Sequence, residues 1–100
     1  FWSVKDRSFV ASMQNDLRNF ASLQESYFQK NYNYAPTAAA IPDFVASSGV
    51  TLTVQYNAID GWSATATHAS LGGRQCGYFT GNAPVASAPP ATKNGVIDCN

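Results

Sequence analysis

Charge is sparse in this sequence: six Lys and Arg stand against six Asp and Glu among 100 residues, and the formal net charge is zero. No basic run or stripe is present to meet a phosphate backbone, which excludes the electrostatic footprint of a nucleic-acid-binding protein. Histidine occurs once, at His68, and no GxSxG segment exists. A serine nucleophile needs an imidazole base and an orienting acid. His68 instead falls at the end of an alternating segment, on the face of Trp62, where it reads as a packed or hydrogen-bonded residue. The acids are scattered singly, so paired-carboxylate chemistry has no support. There is no CxxC pair and no DxDxDG loop, the usual carriers of zinc and calcium ligands. Asn57, Asp60 and Asp98 would offer oxygens to calcium only if their loops converged. Gly72-Gly73-Arg74 lacks the strand–loop–helix setting of a phosphate loop. No catalytic residue, metal or cofactor is expected. No apolar run reaches the roughly 20 residues of a membrane-spanning helix.

Cysteine is nearly as scarce, with Cys76 and Cys99 alone. In a small chain such a pair reads as one disulfide and hence an oxidising compartment. The competing reading is two unlinked buried thiols in a cytosolic protein. The chain is 45% apolar and 13% aromatic, enough for one small domain near the lower limit for an adequate core. Phe1, Trp2, Tyr32, Tyr34, Trp62, Tyr78 and Phe79 lack the basic companions of a base-stacking platform, so they read as core and subunit contacts.

Glycine and proline are missing altogether from residues 3 to 32. Over that stretch Phe9, Val10, Met13, Leu17, Phe20, Leu23, Tyr27 and Phe28 recur at spacings of three and four, the period of one helix face. At 1.5 Å per residue the helix would be about 45 Å long, more than the rest of the chain can fully cover. Ser3 and Asp6 have capping-box spacing. The helix is expected to stop between Asn31 and Tyr34, with Asn in the left-handed conformation and Pro36 blocking continuation. Residues 35–49 form a connector with a helical turn expected near Asp43 to Ala46, pinned by Ile41, Phe44 and Val45.

From Val50 the period becomes two. Residues 50–56 put Val50, Leu52, Val54 and Tyr56 on one face and Thr51, Thr53 and Gln55 on the other, the pattern of a half-buried antiparallel strand. Asp60-Gly61 marks a hairpin. Residues 62–68 alternate again, with Trp62, Ala64, Ala66 and His68 on one face, and the alanines imply close approach of a bulky element. Residues 75–80 read as a third strand, and Val96-Ile97 as a short edge pairing. The tail, 81–100, is rich in Pro, Ala, Gly and Asn. It would fray if free, and a Cys76–Cys99 bridge would tie it to the third strand. The fold class is α+β, in a single domain: helix 1–34, connector 35–49, antiparallel sheet of three or four strands 50–80, and tail.

That order resembles the type IV pilin and pseudopilin superfamily. The likeness rests on three passages. NDLRNFASLQESYFQKNYNYAPT is similar to the second half of the pilin helix and its exit. The strand pair ending in GWSATATH looks like the central hairpin of small pilins. Cys76 and Cys99 match the pair bounding the disulfide loop of many pilins. Together these passages span most of the chain. The apolar first half of the family's helix, with its early glutamate and peptidase site, has no counterpart here. Phe1-Trp2 enters the helix abruptly, so an upstream segment is expected.

The resemblance implies a structural filament subunit with no enzymatic role. Its partners would be copies of itself or other pilins in a helical filament. Before assembly the upstream segment would anchor it in the inner membrane, and afterwards it would lie outside the cell in the filament. Val10, Met13, Leu17, Phe20, Tyr27 and Trp62 would hold the helix to its own sheet. Phe1, Trp2, Phe9, Asn15 and Asn19 are the candidate filament contacts, with Phe1, Trp2, Phe9 and Val10 expected to be exposed on a monomer. A type II secretion pseudopilin is the near alternative, although major pseudopilins typically carry a calcium loop and no cysteine pair. The alternative of a different class is a secreted adhesin-like or inhibitor module, which would leave no apolar stripe exposed.

Overall fold

The computed structural model describes residues 3–100. Helix α1 spans Val4–Asn31. Ser3 caps it, its Oγ accepting the Asp6 amide at 3.1 Å, and the Asp6 carboxylate lies in the first turn at the positive end of the helix dipole. At the other end the left-handed residue is Tyr32, with φ 59°, rather than an asparagine. Its N–H donates to the Phe28 carbonyl at 2.9 Å. Asn31 is the last helical residue, and its Nδ2 donates back to the Tyr27 carbonyl, also at 2.9 Å. The 28 residues of α1 account for the molecule's long dimension of 42 Å.

In the connector, the helical turn falls on Ala38–Ala40 instead of 43–46. Thr37 supplies the cap there, its Oγ1 accepting the Ala40 amide at 3.2 Å. Ile41 is buried, and the Phe44 ring meets Phe20 edge-on at 5.1 Å. Val45 pins nothing, since it is 78% exposed.

Four antiparallel strands follow: β1 Val50–Ala58, β2 Gly61–His68, β3 Gln75–Gly81 and β4 Asp98–Cys99, side by side in that order. Ala58 pairs with Gly61, so the hairpin loop is Ile59-Asp60 and Gly61 already belongs to β2. The edge pairing lies two residues beyond Val96-Ile97. The Cys76–Cys99 disulfide joins residues that pair directly across the strands, which places Asp98 opposite Gly77.

A β-bulge between Val54 and Tyr56 changes the face of β1. Val50, Leu52 and Val54 oppose His68, Ala66 and Ala64 on the helix side, whereas Tyr56 opposes Ser63 on the far side. One extra residue reverses every side chain after it. Tyr56 therefore leaves the face that simple alternation assigns it.

Two cores result. Met13, Leu17 and Phe20 of α1 pack on Leu52, Trp62, Ala64, Ala66 and Cys76. Ala64 and Ala66 are fully buried, as expected where a helix approaches a sheet closely. On the far face the tail returns across the sheet, and Ala83, Ala88 and Ala91 cover Phe79 beside Tyr56. Gly77 makes that contact possible, because a Cβ there would strike the Ala88 carbonyl oxygen. Central β2 is consequently buried on both faces along most of its length, rather than half-buried.

Candidate functional site

Helix α1 is the element with the most surface to offer a partner, and its two faces differ sharply. The inward stripe Met13, Leu17, Phe20 and Gln24 is completely buried. Phe20 and Trp62 meet edge to face at 5.5 Å, and Trp62 lies 5.2 Å from Tyr78 and 6.5 Å from Tyr34. Such aromatic contacts add roughly 0.5–1.5 kcal/mol each beyond their buried area. Val10 and Tyr27 sit at the margin of this core, partly buried against it.

Two polar side chains of the helix fix the connector. Gln24, wholly buried, donates through Nε2 to the Ala35 carbonyl at 3.1 Å and accepts the Ala35 amide through Oε1 at 2.8 Å. Asp16 accepts both the amide and the hydroxyl of Ser47, at 2.7 and 2.8 Å. Gln24 thus belongs inside the domain, although its polarity points to water or a wet interface. The signal that finds it is position: Gln24 follows Phe20 by four and Leu17 by seven, so it continues the buried stripe whatever its chemistry. Asp16 is found the same way, three residues after Met13.

The outward face carries Val4, Ser8, Ala11, Asn15, Ser22, Ser26 and Gln29, all exposed and all uncharged. Arg18 and Glu25 flank them, the former donating to Asn15 Oδ1 at 3.0 Å. Asn15 and Asn19 are both exposed on the helix surface, where a partner can reach them. Phe1 and Trp2 lie outside the described residues. Phe9 is placed differently from the exposed position expected of it. Its ring stacks on His68 with centroids 4.2 Å apart, and with Val10 it is partly buried against the core. The exposed apolar residue at this end of the helix is Val4, at 82%. Val45, Ile59 and Tyr32 are also more than two-thirds exposed.

His68 is held on three sides. Phe9 covers one ring face, Gly49 lies against the ring edge, where a Cβ would come within 2.7 Å of it, and Nδ1 accepts the Ser70 amide at 3.0 Å. Burial pushes the Tyr34 phenol above its ordinary range, and the Glu25 carboxylate nearby adds to the shift. Tyr78 is raised chiefly by burial, in part offset by its hydrogen bond with Thr80. Asp60 accepts Asn82 Nδ2 at 2.9 Å. Among the described residues no group of three His, Cys, Asp or Glu is placed to hold a metal ion, and no helix is long and apolar enough to cross a membrane.

A scan against models of known protein families finds no match, and a search of curated proteins finds no similar sequence.

Proposed function

We propose that this chain is a structural subunit of a type IV pilus-like filament, assembled by packing of α1 against α1 of neighbouring copies. The observation that carries the reading is the geometry of α1. It runs the 42 Å length of the molecule, is clamped to the sheet along one face, and presents on the other an exposed face of mostly small, uncharged side chains, interrupted by Arg18 and edged by Arg7 and Glu25. Small side chains such as Ser8, Ala11 and Ser22 let another helix approach closely, with few charges to strip of water. Phe9 and Val10 contribute less than expected, because they pack inward. The contact rests instead on Val4, Asn15 and their neighbours along the outward stripe.

A subunit of this kind repeats a heterologous contact that does not close, which generates a helical filament. The partners are copies of the chain or related pilins. An upstream apolar segment anchors it in the inner membrane before assembly, and the assembled form is extracellular. The disulfide fits such an oxidising location. The test is immunogold electron microscopy of surface material sheared from the native cells, using antibody to residues 3–100, together with the coding sequence upstream of Phe1. Labelling along filaments and an apolar upstream helix with an early glutamate support the reading. Antigen found only as free secreted monomer behind a cleavable signal overturns it in favour of an independent binding module.

A further inference from the structure

The far face of the sheet is not wholly covered by the tail. Beside the second core a cleft of about 290 Å³ opens between Gln55 of β1, Thr65 of β2 and Gln75 of β3, walled by Ala86, Ser87 and Pro89 of the tail. Its size falls near the roughly 300 Å³ lower end of small-ligand pockets. We infer that this cleft is a binding site for one ring of a neutral saccharide.

Gln55, Thr65 and Gln75 are each fixed by one side-chain hydrogen bond and keep further capacity, while Ser87 is held by two partners. Gln55 Nε2 donates to Thr65 Oγ1 at 2.9 Å, and Gln75 Nε2 donates to the Pro89 carbonyl at 2.6 Å. Ser87 Oγ lies 2.7 Å from Ser63 Oγ and 2.6 Å from the Pro84 carbonyl. Among the described residues, neither glutamine Oε1 has a partner, and the Thr65 hydroxyl proton has no acceptor. Thr65 is 6% exposed, and the cleft that it lines is open to solvent. A ligand hydroxyl that accepts from Thr65 would take the place of a water in the cleft. Two amide acceptors, their second N–H groups and one hydroxyl donor, held in place beforehand, match adjacent sugar hydroxyls that both donate and accept. Holding these groups in advance lowers the entropy cost of binding.

The lining also narrows the ligand class. It holds no charged side chain, so an anionic or cationic ligand would gain no partner. It holds no aromatic ring, so a nucleobase would find no face on which to stack. The inference is independent of how α1 is used.

The test is a nuclear magnetic resonance titration of the unassembled 15N-labelled chain. The probes are methyl glycosides of glucose, galactose, mannose and N-acetylglucosamine, with glucosamine and gluconate as charged controls. The expected result is saturable millimolar binding of at least one neutral glycoside, shifting the backbone amides of Thr65, Gln75 and Ser87 and the Gln55 side-chain amide. Gln75→Ala and Thr65→Val should each weaken it by about tenfold or more. Gln55→Ala, at an exposed position on the edge strand, provides a variant that keeps the fold and should weaken it likewise. Shifts outside the cleft, preference for a charged control, affinity unchanged in Gln55→Ala, or no saturable shift with any neutral glycoside would each overturn the assignment.

Discussion

The two faces of the sheet are covered by different physical means. On the helix side large rings interlock: Phe20, Trp62, Phe44 and Tyr78 lie within 5.5 Å of one another in successive contacts. Gln24 and Asp16 then fasten the connector to the helix. On the tail side the covering groups are three alanines, the approach depends on the missing side chain of Gly77, and the strand pairing of the returning chain is two residues long. A covering of that kind gains little apolar burial per residue ordered, and backbone ordering alone costs roughly 1–2 kcal/mol per residue. The helix side holds by packing and the tail side by a covalent tie. The sheet needs both, since central β2 has no face turned to water over most of its length.

Breaking the helix side should cost most. Phe20→Ala removes a fully buried ring between Phe44 and Trp62, and a loss of roughly 3–5 kcal/mol is expected in denaturant unfolding. Next comes removal of the tie. Replacing Cys76 and Cys99 together by serine frees a loop closed at a sequence separation of 23, worth about 3 kcal/mol in the chain-entropy model. The comparison becomes sharper in hydrogen exchange. The double variant should lose protection at Gly95 and Asn100, whose amides bond β3, while α1 stays protected.

Gln24→Leu tests the polar latch. It keeps the apolar volume but strands the Ala35 N–H and carbonyl, and about 1–3 kcal/mol should be lost. The smallest effect is alkaline. Tyr34 and Tyr78 are raised above the ordinary tyrosine value of 10.0, so near and above that pH the unfolded chain releases protons more readily than the folded one. By linkage their contribution is fully present below pH 10.0 and fades as pH rises through the folded values. Unfolding followed from neutral to strongly alkaline pH should show this decline, and it should be shallower in Tyr78→Phe.

The helix side was largely legible in the sequence, and the tail side largely was not. Spacings of three and four pick out Met13, Leu17 and Phe20, alternation picks out Trp62, Ala64 and Ala66, and a lone cysteine pair points to the bridge. These patterns follow from single-element geometry, which a sequence displays directly. The far-side core has no such pattern. Ala83, Ala88 and Ala91 lie in irregular chain without a period, and their burial depends on where the disulfide and Gly77 let the tail lie. The bulge at Gln55 was equally hidden, because alternation continues to put Tyr56 with Val54 unless the pairing partner is known. Phe9 was legible as part of an apolar face, but its partner was not. The ring that covers it is His68, a polar residue from the far end of β2. Gln24 and Asp16 are visible only if the stripe is followed by position instead of polarity.

The claim that the outward face of α1 is the assembly surface is tested most directly by cysteine accessibility. Asn15→Cys, Ser22→Cys and, as a control on the sheet, Thr53→Cys are each introduced singly and expressed in the native cells. Maleimide labelling is then compared between unassembled chain and sheared surface filaments. The account predicts that all three label in the unassembled chain, and that assembly protects positions 15 and 22 while 53 remains reactive. Equal labelling of positions 15 and 22 before and after assembly would contradict it.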